Sequence, residues 1–193
     1  MAMLVLGLLL FLGVHSTRIV AEGWRTQMLG RMGERGWKGL YTVVSLAGFV
    51  LTVWGYARAR HDPVILWNPV RGMNHLAALL MVVSFVLLAA AYVPRNAFKA
   101  KLHHPMVLAV KLWAFAHLIA NNTLADVVLF GAFLVWAIAD FASSRRRDRA
   151  NKVTYAPGTM RGTVMAAVVG LVAWVVFVFG AHRWLIGGSP LGV

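Results

Sequence analysis

No cysteine occurs anywhere in the chain. That excludes disulfides, thiolate nucleophiles, iron–sulfur clusters and thiolate-bound metals, and leaves histidine as the one strong metal ligand. Acidic residues are also scarce, six against 19 Lys and Arg. No HExxH pair is present, and no carboxylate lies within a turn of any histidine in an apolar run, which argues against zinc hydrolysis. A GxSxG elbow, a phosphate loop and a dinucleotide fingerprint are missing too, so nothing supports a hydrolase triad or a nucleotide enzyme.

What the chain does have is apolar length. It is 60% hydrophobic with a mean hydropathy of +0.72. Its apolar runs far exceed the ~9–11 residues of a barrel strand. In a bilayer, backbone groups without water leave helices as the remaining spanning element. The predicted fold is all-α, a polytopic membrane protein forming one transmembrane domain over residues 1–193. Six spans are predicted, at about 2–21, 40–58, 73–93, 104–120, 124–142 and 163–181. The first is read as a retained span, because it has neither a basic leader nor a small-x-small cleavage pattern.

Between the spans lie polar connectors. Residues 22–39 read as a flexible, basic, Gly-rich loop; Asp62-Pro63 and Asn68-Pro69 mark a second loop, and Arg145-Arg146-Arg147 begins a third. Thr123 followed by Asp126 predicts a capping box opening the fifth helix. The net charge of +13 would suggest nucleic acid in a soluble protein. Here the cations sit in connectors, so the bilayer and its headgroups are the expected partner and nucleic acid is not. Fourteen of the 19 Lys and Arg fall on the 1–2, 3–4 and 5–6 connectors, counting Arg18 with the first. The positive-inside rule therefore predicts a multi-pass inner-membrane protein with both termini periplasmic.

Within the spans, one stretch carries groups that lipid should reject: His103-His104-Pro105-Met106, Lys111, Trp113, His117 and Asn121-Asn122. Helical spacing puts His103, Trp113 and His117 on nearly one face and His104 with Lys111 on another. Lys111 has Asp126 or Asp140 as possible partners, or stays neutral. Without thiols, iron of a haem held between two intramembrane imidazoles is the most economical use of these residues. The alternative is a cofactor-free bundle in which the histidines bond to neighbouring helices.

Phe11-Leu12-Gly13-Val14-His15-Ser16, His104-Pro105-Met106, Trp113-Ala114-Phe115-Ala116-His117-Leu118 with Asn121, and Leu129-Phe130-Gly131-Ala132-Phe133 together resemble the NnrU family of bacterial membrane proteins, over about residues 1–150. The same family includes the 15-cis-zeta-carotene isomerases of plants and cyanobacteria, which hold haem b. The resemblance implies haem b bound through His15 and His117, with His104 and Trp113 nearby. It implies either cis–trans isomerisation of a lipid-soluble polyene or a role in denitrification, in nitric oxide and nitrite reduction, beside a respiratory redox partner. Ala114 stands where the isomerases carry a cysteine implicated in ligand switching. The His-Pro also occurs in isoprenylcysteine-type methyltransferases, but no nucleotide-binding segment follows it here. Depth adds a complication: about thirteen residues into span one, His15 lies roughly 20 Å from the outer face, whereas His117 is close to the outer turn of span four. His75, near the outer end of span three, is then the competing partner for His117, with His15 meeting His104.

Overall fold

A computed structural model describes residues 1–191. The described residues form helices α1 (Ala2–His15), α2 (Thr17–Val20), α3 (Glu22–Ala59), α4 (Met73–Tyr92), α5 (Ala97–Leu102), α6 (Pro105–Ala120), α7 (Leu124–Ala150), α8 (Met160–Val176) and α9 (His182–Ile186). A π-helical turn, Phe177–Ala181, joins the last two. Among the described residues the only extended pairing is a single antiparallel bridge, Ile65 with Thr123. The protein is therefore all-α, as its composition predicts.

Four helical stretches are long and apolar enough to cross a membrane: Glu22–Ala59, Met73–Tyr92, Leu124–Ala150 and Met160–Ile186. The remaining two apolar helices are shorter, with 14 residues in α1 and 16 in α6. At 1.5 Å per residue they reach about 21 and 24 Å, less than the ~30 Å hydrocarbon core. The predicted first span, 2–21, is interrupted at Ser16, after which one further helical turn, Thr17–Val20, runs to Ala21. Ser16 and Thr17 turn their hydroxyls onto the carbonyls of Leu12 and Val14, at 2.6 and 2.9 Å, and the backbone leaves helical geometry at Ala21.

The 22–39 connector is also not a loop. It is helical on both sides of Gly33, whose φ of +70° and ψ of 170° kink the element. Glu22 pairs with Arg18 and Arg25, Glu34 with Lys38, and Trp24 meets Trp37 edge-on at 5.7 Å. Charges with indole anchors are the makings of an interfacial segment.

Packing between the spans rests on small residues and a few polar bonds, as it must where lipid is as apolar as leucine. α1 lies directly on α3, with Gly7, Gly48 and Gly55 at the contacts. α1 then meets α7, α7 meets α6, α6 meets α4, and α4 meets α8. Gly170 of α8 faces the Val86 backbone of α4, and Ser84 Oγ donates to the Ala109 carbonyl of α6 at 2.8 Å. Large side chains such as Leu9, Val43, Val135 and Phe179 remain more than 60% exposed, which is a lipid-facing exterior.

The two rims are tied separately. At one, the 60–72 loop hydrogen-bonds through Val64 and Leu66 to Leu124 and Asn122, and Arg60 donates to the Ile186 carbonyl at 3.0 Å. At the other, buried Asn96 bonds the Ala90 and Val93 carbonyls, and Thr159 bonds the Arg95 carbonyl.

Candidate functional site: histidines along an aromatic column

Helix α7 places Phe130, Phe133 and Trp136 at three-residue intervals, so they form a column along one face. The other helices dock histidines against it. His117 of α6 stacks on Phe130 with ring centroids 4.6 Å apart and meets Trp113 at 5.4 Å. Its Nδ1 lies 2.8 Å from the Trp113 carbonyl. A carbonyl only accepts, so Nδ1 carries the proton and the Nε2 lone pair is left free.

His15 has the same local construction. Its Nδ1 donates to the Phe11 carbonyl at 2.6 Å, and the ring is bounded by Phe11, Tyr41 and Trp136 at 4.3, 5.1 and 6.1 Å. Trp136 Nε1 and Ser45 Oγ are buried without partners.

The two histidines do not face one another. His117 sits at the level of Phe130 and His15 at that of Trp136, six residues along α7, or roughly 9 Å at 1.5 Å per residue. Phe133 lies between them, touching Phe11 at 5.8 Å and Trp113 at 5.3 Å. Of the predicted ligand pair, each histidine thus has its own aromatic neighbours along α7.

The other predicted residues go elsewhere. His75 opens α4 and lines a cleft of about 400 Å³ with Ala78, Leu79, Val82, Trp174 and Leu191. His104 stands at the N-terminal boundary of α6, ahead of Pro105, and its Nε2 donates to Asp148 Oδ2 at 2.9 Å. Tyr155 donates to the same oxygen at 2.9 Å. Sequence reasoning missed this cluster because Asp148 is 44 residues from His104; the single signal was a lone carboxylate within an arginine run. Lys111 meets neither expected aspartate. Its Nζ lies over the Phe141 ring at 5.8 Å, while Asp126 is held by Thr123 and Tyr56. Among the described residues no group of three or more His, Asp or Glu side chains is arranged to hold a metal ion.

His103, beside this cluster, is strained. Its φ of 73° and ψ of −65°, with the His104 N–H bonded to the Leu102 carbonyl at 3.0 Å, make a γ-turn of the rare kind. Its Nδ1 is buried without a hydrogen bond, 3.9 Å from Asp148. Burial, aided by the Arg145 charge and opposed by Asp148, holds this imidazole below its ordinary value of 6.5. Burial and the Asp148 carboxylate together push the Tyr155 hydroxyl up to about 12. For a depressed histidine the neutral form favours the fold. Its stabilisation is complete above 6.5 and is lost as pH falls through the folded value. In His103→Gly both the strain and the titration disappear. The variant is expected to be more stable than wild type by about 1 kcal/mol at pH 8, with a flatter thermal midpoint between pH 7 and pH 5. An equally steep acid decline in the variant would assign that decline to another group.

A family model described as NnrU protein matches residues 3–190, nearly the whole chain. The chain belongs to the NnrU family. No curated protein and no solved structure matches it. In this NnrU protein His104-Pro105 therefore serves the Asp148 cluster at the basic rim, while Trp113 and His117 serve the aromatic column.

Proposed function

We propose that this NnrU family protein is a haem b-binding protein of the bacterial inner membrane, with both termini periplasmic, and that His117 is the axial ligand. The observation that carries this is the free Nε2 of His117, on a ring whose Nδ1–H is fixed by the Trp113 carbonyl and whose face rests on Phe130. Ligating histidines are oriented in this way, the second nitrogen bound to a carbonyl or carboxylate. Trp113 and Phe130 supply apolar walls that keep water from the ligand side, and Asn121 Nδ2 bonds the His117 carbonyl at 2.8 Å, holding the last turn of α6. Haem b bound there supplies an iron centre able to take up a small ligand or exchange one electron. Held by His117, such a haem would supply the small-ligand uptake that nitric oxide handling in denitrification, beside a respiratory redox partner, requires. Ala114, in place of the isomerases' cysteine, favours that role over isomerisation of a polyene.

A second reading, a cofactor-free accessory or assembly protein for respiratory enzymes, is favoured by one observation: Phe11, Phe133 and Trp113 fill the space between the two histidines. A visible spectrum of the full chain, purified in detergent after expression with ample haem, separates the two. A Soret band is expected in wild type. His117→Ala should reduce bound haem on the order of 100-fold, and His15→Ala should leave its stoichiometry unchanged. Absence of the band from wild type, or its survival in His117→Ala, removes the proposal. Loss in both variants restores a two-histidine site.

A further inference from the structure

The four-arginine run at the end of α7 is divided by helical geometry. Arg147 turns inward, donating to Ser143 Oγ and Ser144 Oγ at 2.7 Å each and to the Arg18 carbonyl at 3.1 Å. Arg145, Arg146 and Arg149 turn the other way and line a groove of about 430 Å³ floored by Phe141 and Ala142. Among the described residues none of these three has a carboxylate within 4.0 Å. Asp148, the one acidic residue in the run, is occupied by His104 and Tyr155. The Lys111 ammonium lies 5.8 Å from the centroid of the Phe141 ring, which lines the groove.

The groove is also continuous with a lipid-facing stripe. Val135, 68% exposed, and Ile138, 47% exposed, precede Ala142, Arg146 and Arg149 at spacings of three and four residues. One face of α7 therefore runs from apolar to cationic with no acidic break. An ion alone would use only the cationic end of that face. An amphiphile with a phosphate head and an acyl chain uses both.

We propose that this groove is a binding site for an anionic phospholipid of the leaflet at the basic rim, its phosphate held by Arg145, Arg146 and Arg149 and its chain lying along Ala142, Ile138 and Val135. Guanidinium groups suit this role because each offers a planar pair of donors to phosphate oxygens. Basic pockets between membrane helices on this side are the places where such headgroups settle.

Native mass spectrometry of the delipidated full chain in detergent tests the site, with phosphatidylglycerol and phosphatidylcholine of identical acyl chains as probes. Wild type is expected to retain phosphatidylglycerol roughly tenfold better than phosphatidylcholine. The triple variant R145Q/R146Q/R149Q should lose that preference. R31Q/R35Q/K38Q, which removes the same charge from a different connector, should keep it, and an unchanged thermal midpoint in both variants shows that each is folded. No preference in wild type, or equal loss in both triple variants, overturns the proposal. Displacement of the bound lipid by millimolar inorganic phosphate at constant ionic strength overturns it in favour of a free anion.

Discussion

Gly55→Leu is expected to separate α1 from α3 and to destabilise the protein by about 3 kcal/mol or more. The reason is backbone contact. A Cβ at Gly55 would meet Leu4 N, Leu4 Cα and the Met3 carbonyl carbon well inside van der Waals distance. At Gly48 it would come within 2.6 Å of Phe11 N, and at Gly7 it would run into the Thr52 backbone. None of these neighbours is the end of a flexible side chain, so the helices must move apart. Separation would also undo the core in which buried Leu4 and Leu8 meet Ala125, Leu129 and Phe130, because α1 is the element carrying them to α7. Lipid offers no hydrophobic penalty that would push the pair back together. Thermal unfolding in detergent measures the effect. Gly131→Ala is the control, since nothing lies within 4 Å of its Cβ position, and it should match or slightly exceed wild type. A Gly55→Leu protein melting with wild type would mean that α1 and α3 are not interlocked.

Asp126→Ala is expected to cost about 3 kcal/mol, from two separable sources. Asp126 is 5% exposed and closes the capping box of α7: its Oδ2 accepts from Thr123 N and Thr123 Oγ1 at 3.1 and 2.6 Å. Loss of a cap costs typically ~1 kcal/mol. The other oxygen accepts from Tyr56 OH at 2.5 Å, joining α3 to α7. Truncation leaves that half-buried hydroxyl without a partner, at about 1–3 kcal/mol. Tyr56→Phe alone should cost about 1 kcal/mol, and it should cost almost nothing in the Asp126→Ala background. A double-mutant cycle reads the difference. Additive costs would show that the two groups act independently.

The Thr123–Asp126 box was legible because a cap is a local pattern of four residues. The apolar runs were legible for the same reason, and four of them became helices of spanning length. Helix ends were harder. Nothing in the hydropathy of 2–21 marks the interruption at Ser16 or the departure from helical geometry at Ala21. The glycine-rich 22–39 segment misled because spaced glycines suggest flexibility; only Gly33 adopts a positive φ there. The site shows the same division. Trp113 and His117 share a face by spacing alone, and they do touch. The level of His15 depends on where α1 docks along α7, and the partner of His104 lies 44 residues away. Neither is written in any window of the sequence.

The shortness of α1 and α6 bears on the membrane as well as on the protein. Both histidines of the aromatic column are carried by the two helices that fall 6 to 9 Å or so short of a standard hydrocarbon core. Hydrophobic mismatch of that size draws the surrounding bilayer thinner rather than stretching the helices. Thinning of that kind beside α1 and α6 would bring polar headgroups and water nearer to His117 than a bilayer of uniform thickness allows.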